Sequence, residues 1–163
     1  MVTARCSRWN LPLGSSFKLN FDAAIFQDCK ALGFRVVIWN NLGEVMAALL
    51  ARGPHVQDSE KAEVLAYRKA LEFTIDLGFS DIVIKGDNSV VMAAISSSRL
   101  FHSRLGHLYA DIHCLATGLQ VHSVSCVAQS ANSVAHSLAR FANCIWLEES
   151  PQPALEALYF DTR

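Results

Sequence analysis

Regular patterning begins at Phe17, where apolar Phe17, Leu19 and Phe21 alternate with polar Lys18, Asn20 and Asp22. That two-residue period predicts a strand with one buried face. After Asp22 the run turns wholly apolar, from Ala23 to Phe26, as expected where a strand is covered on both sides. Gln27-Asp28-Cys29-Lys30 reads as a turn, and the β-branched, aromatic run over 32–39 as a second strand. Asn40-Asn41-Leu42-Gly43 supplies residues that tolerate positive φ, so a hairpin turn leads into a third strand over 44–51.

The period then changes. Gly53-Pro54 closes the strand segment, and Asp58 or Ser59 can cap a helix. Ala62, Ala66, Ala70, Phe73 and Leu77 recur at helical spacing up to a stop at Gly78. A strand over 81–85, a helix over 88–97, a helical region over 100–119 with a break at Gly106, a strand over 121–127 and a helix over 131–143 follow. The order β-β-β-α-β-α-α-β-α predicts an α/β fold. Its mixed five-stranded sheet has three antiparallel strands followed by two parallel ones, with helices on both faces. Residues 1–15 read as an irregular lead-in, 16–145 as the domain and 146–163 as a tail packed on it. In such sheets the functional crevice lies at the C-terminal ends of the parallel strands.

Composition narrows the setting. The 163 residues fit one domain with a real core. A net charge of -1 gives no overall positive field, so nucleic-acid binding would have to use a local patch. The five cysteines are odd in number, scattered and without C-x-x-C spacing. That argues against a disulfide framework or a zinc module and suits a reducing compartment. Arg5 and Arg8 precede no apolar signal segment, and no apolar run reaches membrane-spanning length. The expectation is a soluble intracellular monomer of nucleus or cytoplasm, with no membrane partner.

Candidate chemistry begins with Asp22. A carboxylate in a core strand needs a cation, a hydrogen-bond donor or a metal ion, because burying it unpaired costs several kcal/mol or forces it neutral. No lysine or arginine falls between Asp22 and Lys30, which makes a metal worth testing. Glu63 sits in the first turns of the long helix, and Asp87 ends the fourth strand in Gly86-Asp87-Asn88-Ser89. If the first and fourth strands are parallel neighbours, Asp22 and Asp87 share one crevice and the helix brings Glu63 over it. Clustered carboxylates repel, and Mg²⁺ or Mn²⁺ relieves that repulsion. Such a site can activate water and stabilise the leaving oxygen in phosphodiester hydrolysis. Ordinary readings stand beside this one. Asp87 could be a helix N-cap, and Glu63 a solvated residue complementing the helix dipole.

The segments KLNFDAA (18–24), GFRVVIWNNLGEVMAA (33–48), AEVLAYRKALEFTIDLGF (62–79), IVIKGDNSVVM (82–92), SANSVAHSLAR (130–140) and WLEESP (146–151) resemble the ribonuclease H type 1 family. The resemblance is strongest to plant ribonuclease H-like domains related to the reverse-transcriptase polyproteins of non-LTR retrotransposons. It runs in family order over nearly the whole chain. It implies metal-dependent endonucleolytic hydrolysis of the RNA strand of RNA–DNA hybrids, with two Mg²⁺ ions, or Mn²⁺ in their place. It assigns Asp22, Glu63 and Asp87 as metal-binding acids. The fourth acid of the family is here His136, a variant familiar in the plant branch, which takes the role of ligand or general base. Read without the resemblance, His136 is a surface histidine on a polar helix face with Asn132 and Arg140.

Substrate contacts are expected from Asn88, Arg99, Arg104 and Asn132. A thin basic stretch carries Arg99, His102, Arg104, His107 and His113 against one acid, Asp111. Grip through phosphates and 2′-hydroxyls would be largely independent of base sequence. Two further departures from the family pattern are Cys126, Ala128 and Gln129, where a histidine and arginines are common, and Ala23, where glycine is common. The first of these favours the alternative function, a catalytically weakened nucleic-acid-binding or interaction domain derived from a retrotransposon. The three intact acids favour the enzyme.

Overall fold

Two turns set the first half of the fold, which a computed structural model describes for residues 14–97 and 104–128. Strand β1 (Phe17–Phe26) and strand β2 (Ala31–Trp39) meet at a turn closed by Lys30, whose φ of 48° is positive and whose amide donates to the Gln27 carbonyl at 3.3 Å. The second turn leads to β3 (Val45–Gly53). There Asn40 Oδ1 accepts from the amides of Leu42 (3.0 Å) and Glu44 (2.9 Å), and Gly43 takes a φ of 80°. These are the short polar residue and the glycine that such a turn requires.

Helix α1 (Ser59–Asp76), strand β4 (Asp81–Gly86), helices α2 (Ser89–Ser96) and α3 (Gly106–Ala116) and strand β5 (Gln120–Cys126) follow. The sheet order is β3-β2-β1-β4-β5. The β1–β2 and β2–β3 pairs are antiparallel, and β1–β4 and β4–β5 are parallel. This is the five-stranded mixed sheet that the hydrophobic pattern predicts. Leu19, Phe21, Val36, Ile38, Ile82 and Ile84 join Ala66, Tyr67 and Ala70 of α1, Val91 of α2 and Ile112 of α3 in one core. The Phe21 and Tyr67 rings lie 5.0 Å apart at its centre. Val37 and Trp39 form a second small cluster with Val45. The helix expected over 131–143 and the tail expected over 146–163 lie outside the described residues, as do residues 1–13 and 98–103.

Two expectations are corrected. Burial along β1 runs opposite to the predicted gradient. Lys18, Asn20 and Asp22 are buried (1%, 3% and 6% exposed), whereas Ala23 to Phe26 are only half-buried. The cause is the pairing. β4 joins β1 only from Phe17 to Asn20, so that part of the strand lies mid-sheet, and its far end continues beside β2 alone. The region read as helical over 100–119 is, among the described residues, a helix from Gly106 to Ala116. It starts after Leu105, whose side chain cannot cap it.

Candidate metal centre

The sheet register sets the first pair of acids. Asn20 of β1 aligns with Lys85 of β4, and continuing by two residues brings Asp87 level with Asp22 on the same face. Gly86 permits that path. A Cβ there would stand 2.7 Å from Met92 Sδ and 2.9 Å from Phe21 Cζ. Beyond it, Val127 N donates to the Gly86 carbonyl at 2.8 Å, and the buried Cys126 thiol donates to the Asp87 carbonyl at 3.6 Å. The end of β5 therefore pins the Asp87 backbone. The cap of α2 is Asn88 rather than Asp87, with Asn88 Oδ1 accepting from Val90 N and Val91 N, each at 3.1 Å.

Helix α1 supplies the third acid. Asp58 caps it by accepting from Glu60 N at 3.0 Å, which fixes the first turn against the sheet. Glu63, in the next turn, is buried at 8% exposure and so is not the solvated residue of the ordinary reading. One oxygen each from Asp22, Glu63 and Asp87 lies within 4.8 Å of the others. The Ala23 amide ties two of them together, donating to Asp22 Oδ1 at 2.9 Å and to Glu63 Oε1 at 3.2 Å. Glu63 Oε2 is buried with no hydrogen-bond partner among the described residues. Burial, then the charges of Asp22 and Asp87, push the Glu63 carboxyl up to about 9. A buried carboxylate oxygen without a partner, facing two other acids, suits a hard divalent cation that takes oxygen ligands.

The cation beside Asp22, not expected from its neighbours in the sequence, is Arg35. It stands directly opposite Asp22 in the β1–β2 register, and its Nη2 lies 3.1 Å from Asp22 Oδ2. Both side chains are buried, 6% and 9% exposed. Burial lowers the Arg35 pKa from its ordinary value, while the nearby charges of Asp22, Glu63 and Asp87 act in the opposite sense. No cation lies between Asp22 and Lys30, and an antiparallel neighbour comes from farther along the chain. The signal was nevertheless present. A hairpin centred on 27–30 pairs residue 22 with residue 35.

The remaining predicted residues divide in two. Arg104 is exposed and paired with Asp58, whose carboxyl that hydrogen bond holds below its usual value. Asp111 faces Arg68 at 3.6 Å, and His107 and His113 are exposed on α3. Arg99, His102, Asn132 and His136 lie outside the described residues. A second basic feature, not anticipated, is the pair of buried Lys18 and half-buried Lys85. Burial and then Lys85 bring Lys18 down to about 8, and Lys85 donates to Ser125 Oγ.

Comparison with known proteins places this arrangement in a class. Ribonuclease H1 from the halophilic archaeon Halobacterium salinarum NRC-1 superposes with a TM-score of 0.67 at 23% identity, over 76% of this chain and 93% of that one. LC11-RNase H1, isolated from compost by a metagenomic approach and solved in complex with an RNA/DNA hybrid, gives 0.65 at 16% identity, over 76% and 93%. Prototype foamy virus protease-reverse transcriptase gives 0.60 at 15% identity, over 89% of this chain and 23% of that one. The fold is thus that of ribonuclease H. The sequence model of the reverse transcriptase-like family matches residues 20–142, and the chain belongs to that family. No curated protein matches the sequence. Among the described residues, no helix is long and apolar enough to cross a membrane.

Proposed function

We propose that the chain is a metal-dependent endonuclease that hydrolyses the RNA strand of RNA–DNA hybrids. The observation that carries this is the triad of buried Asp22 and Glu63 and half-buried Asp87, with ligand oxygens within 4.8 Å of one another where the parallel pairing of β1 with β4 ends. The three carboxylates would hold Mg²⁺, or Mn²⁺ in its place, and the ion would supply an activated water and stabilise the leaving oxygen. Glu63 Oε2, buried and without a partner among the described residues, is the oxygen best placed to gain a cation. Ala23 holds Asp22 and Glu63 in register through one amide. His136 is assigned as a fourth ligand or general base. Asn88, Arg99, Arg104 and Asn132 are assigned to the substrate backbone. Capping engages Asn88 Oδ1, so its amide group is the part left for a phosphate or sugar.

A second reading is a ribonuclease H-like domain that binds nucleic acid with weakened chemistry. Arg35 favours it, because a guanidinium beside Asp22 opposes a divalent ion at the same carboxylate. End-labelled hybrid, duplex DNA and single-stranded RNA, incubated with the protein in Mg²⁺ and in Mn²⁺, separate the two. The proposal expects the RNA of the hybrid to be cut and the other substrates spared. Hybrid retained on the protein but intact in both metals supports the second reading.

A further inference from the structure

We infer that Arg35 is a resident cation of the carboxylate cluster, standing in for a second divalent ion, so that the site holds one such ion. The inference rests on the metal reading above and concerns how many ions the triad accepts. An arginine cannot give up its proton in a protein, so its charge is permanent. With an ion bound, all three carboxylates must be ionised and bring three negative charges, of which Arg35 cancels one. What remains balances a single divalent ion.

The bonding at Asp22 leads to the same count. A carboxylate that bridges two metal ions needs lone pairs open to both, on its two oxygens or on a shared one. Asp22 Oδ1 already accepts from Ala23 N at 2.9 Å, and Oδ2 faces Arg35 Nη2 at 3.1 Å. An ion on the Oδ2 side would sit against the guanidinium, within a pair that is almost wholly removed from water and therefore little screened. Arg35 cannot swing away at low cost, because its side chain is 6% exposed and its backbone is held between β1 and β3. The one ion would take its oxygens from Glu63, Asp87 and Asp22, which lie within 4.8 Å of one another.

The test counts ions rather than turnover. The full 163-residue chain is titrated with Mn²⁺, and free Mn²⁺ is followed by electron paramagnetic resonance for wild type, Arg35→Gln, Arg35→Lys and Asp87→Asn. Wild type and Arg35→Lys should bind one ion. Arg35→Gln should bind two, with the first at least about tenfold tighter, matching the effect a single neighbouring charge has on proton affinity. Two ions on wild type overturn the inference, as does an Arg35→Gln protein with the wild-type count and affinity. If Arg35→Gln fails to fold by near-ultraviolet circular dichroism, the wild-type and Arg35→Lys counts decide. Mn²⁺ that binds Asp87→Asn as well as wild type, or binds neither wild type nor Arg35→Gln, overturns the metal reading and this inference with it.

Discussion

Replacing Glu63 by glutamine should make the metal-free protein more stable, although it removes a proposed ligand. In the fold this carboxyl titrates at about 9 instead of its ordinary 4.5, so folding must protonate it at neutral pH. A carboxyl whose folded pKa is raised contributes stability below its unfolded pKa, and that stability is lost as pH rises toward the folded value. Near pH 7.5 the unfolded group lies about three units above its pKa, an upper limit of about 4 kcal/mol at 1.36 kcal/mol per unit. Glutamine copies the protonated shape. It can keep the 3.2 Å bond from Ala23 through its oxygen and turn its amide toward Asp22 and Asp87. Because the neighbouring acids share the proton, the expected gain is about 2–4 kcal/mol, or roughly 5–10 °C in Tm. At about pH 5 the gain should shrink below about 1 kcal/mol. Lys18 titrates near 8 and contributes only above this window. In excess Mg²⁺ the order should reverse, since an ion bound to the native state alone stabilises wild type by mass action. Thermal unfolding in EDTA and in Mg²⁺ across this pH range provides the assay. A glutamine variant no more stable than wild type near pH 7.5 in EDTA, or equally stabilised near pH 5, would refute the reasoning.

Three further outcomes are expected. Gly86→Ala should cost about 1–3 kcal/mol in denaturant unfolding, because the new methyl meets the fixed Phe21 ring at 2.9 Å. It should also weaken Mn²⁺ binding by shifting Asp87, and an unchanged metal affinity would separate the turn from the site. Hybrid binding should show a shallow salt slope, of about two or less, since net charge is -1 and Arg104 is paired with Asp58; a steep slope in filter binding would reveal another basic surface. His136→Asp should raise cleavage in Mg²⁺ more than in Mn²⁺, because Mg²⁺ prefers oxygen ligands and Mn²⁺ accepts nitrogen more readily. Equal rates for His136→Asp, His136→Ala and wild type in both metals would make the histidine a bystander.

Most of the scaffold was legible because its signals are local. The alternation from Phe17, the Asn40–Gly43 turn chemistry and the α1 stripe each lie within one element, and the observed β1, β2 and α1 bounds fall within about a residue of those expected. Parallel pairing of β1 with β4 is non-local, so the sequence offers it only as a condition, and the observed register then brings Asp87 level with Asp22. Burial was less legible. Lys18, Asn20 and Asp22 look like the solvent side of a half-buried strand, and only the sheet order shows that this part of β1 is central. Arg35 was missed for a related reason, since a charge in the middle of GFRVVIW has no meaning until the register sets it against Asp22. The Asp87 and Asn88 neighbours illustrate a smaller ambiguity. Either could cap α2 by composition, and the backbone path decides for Asn88.

The most direct test of the metal-centred account is cleavage of an RNA–DNA hybrid labelled on the RNA strand, by wild type and Asp87→Asn, in EDTA, Mg²⁺ and Mn²⁺. Asp87 is placed in the cluster by the strand register and does not cap α2, so its amide variant should fold while losing one ligand charge. The account predicts cleavage by wild type only with a divalent ion, and a rate lower by about a hundredfold or more in Asp87→Asn. Equal cleavage by the two proteins, or cleavage by wild type undiminished in EDTA, would contradict it.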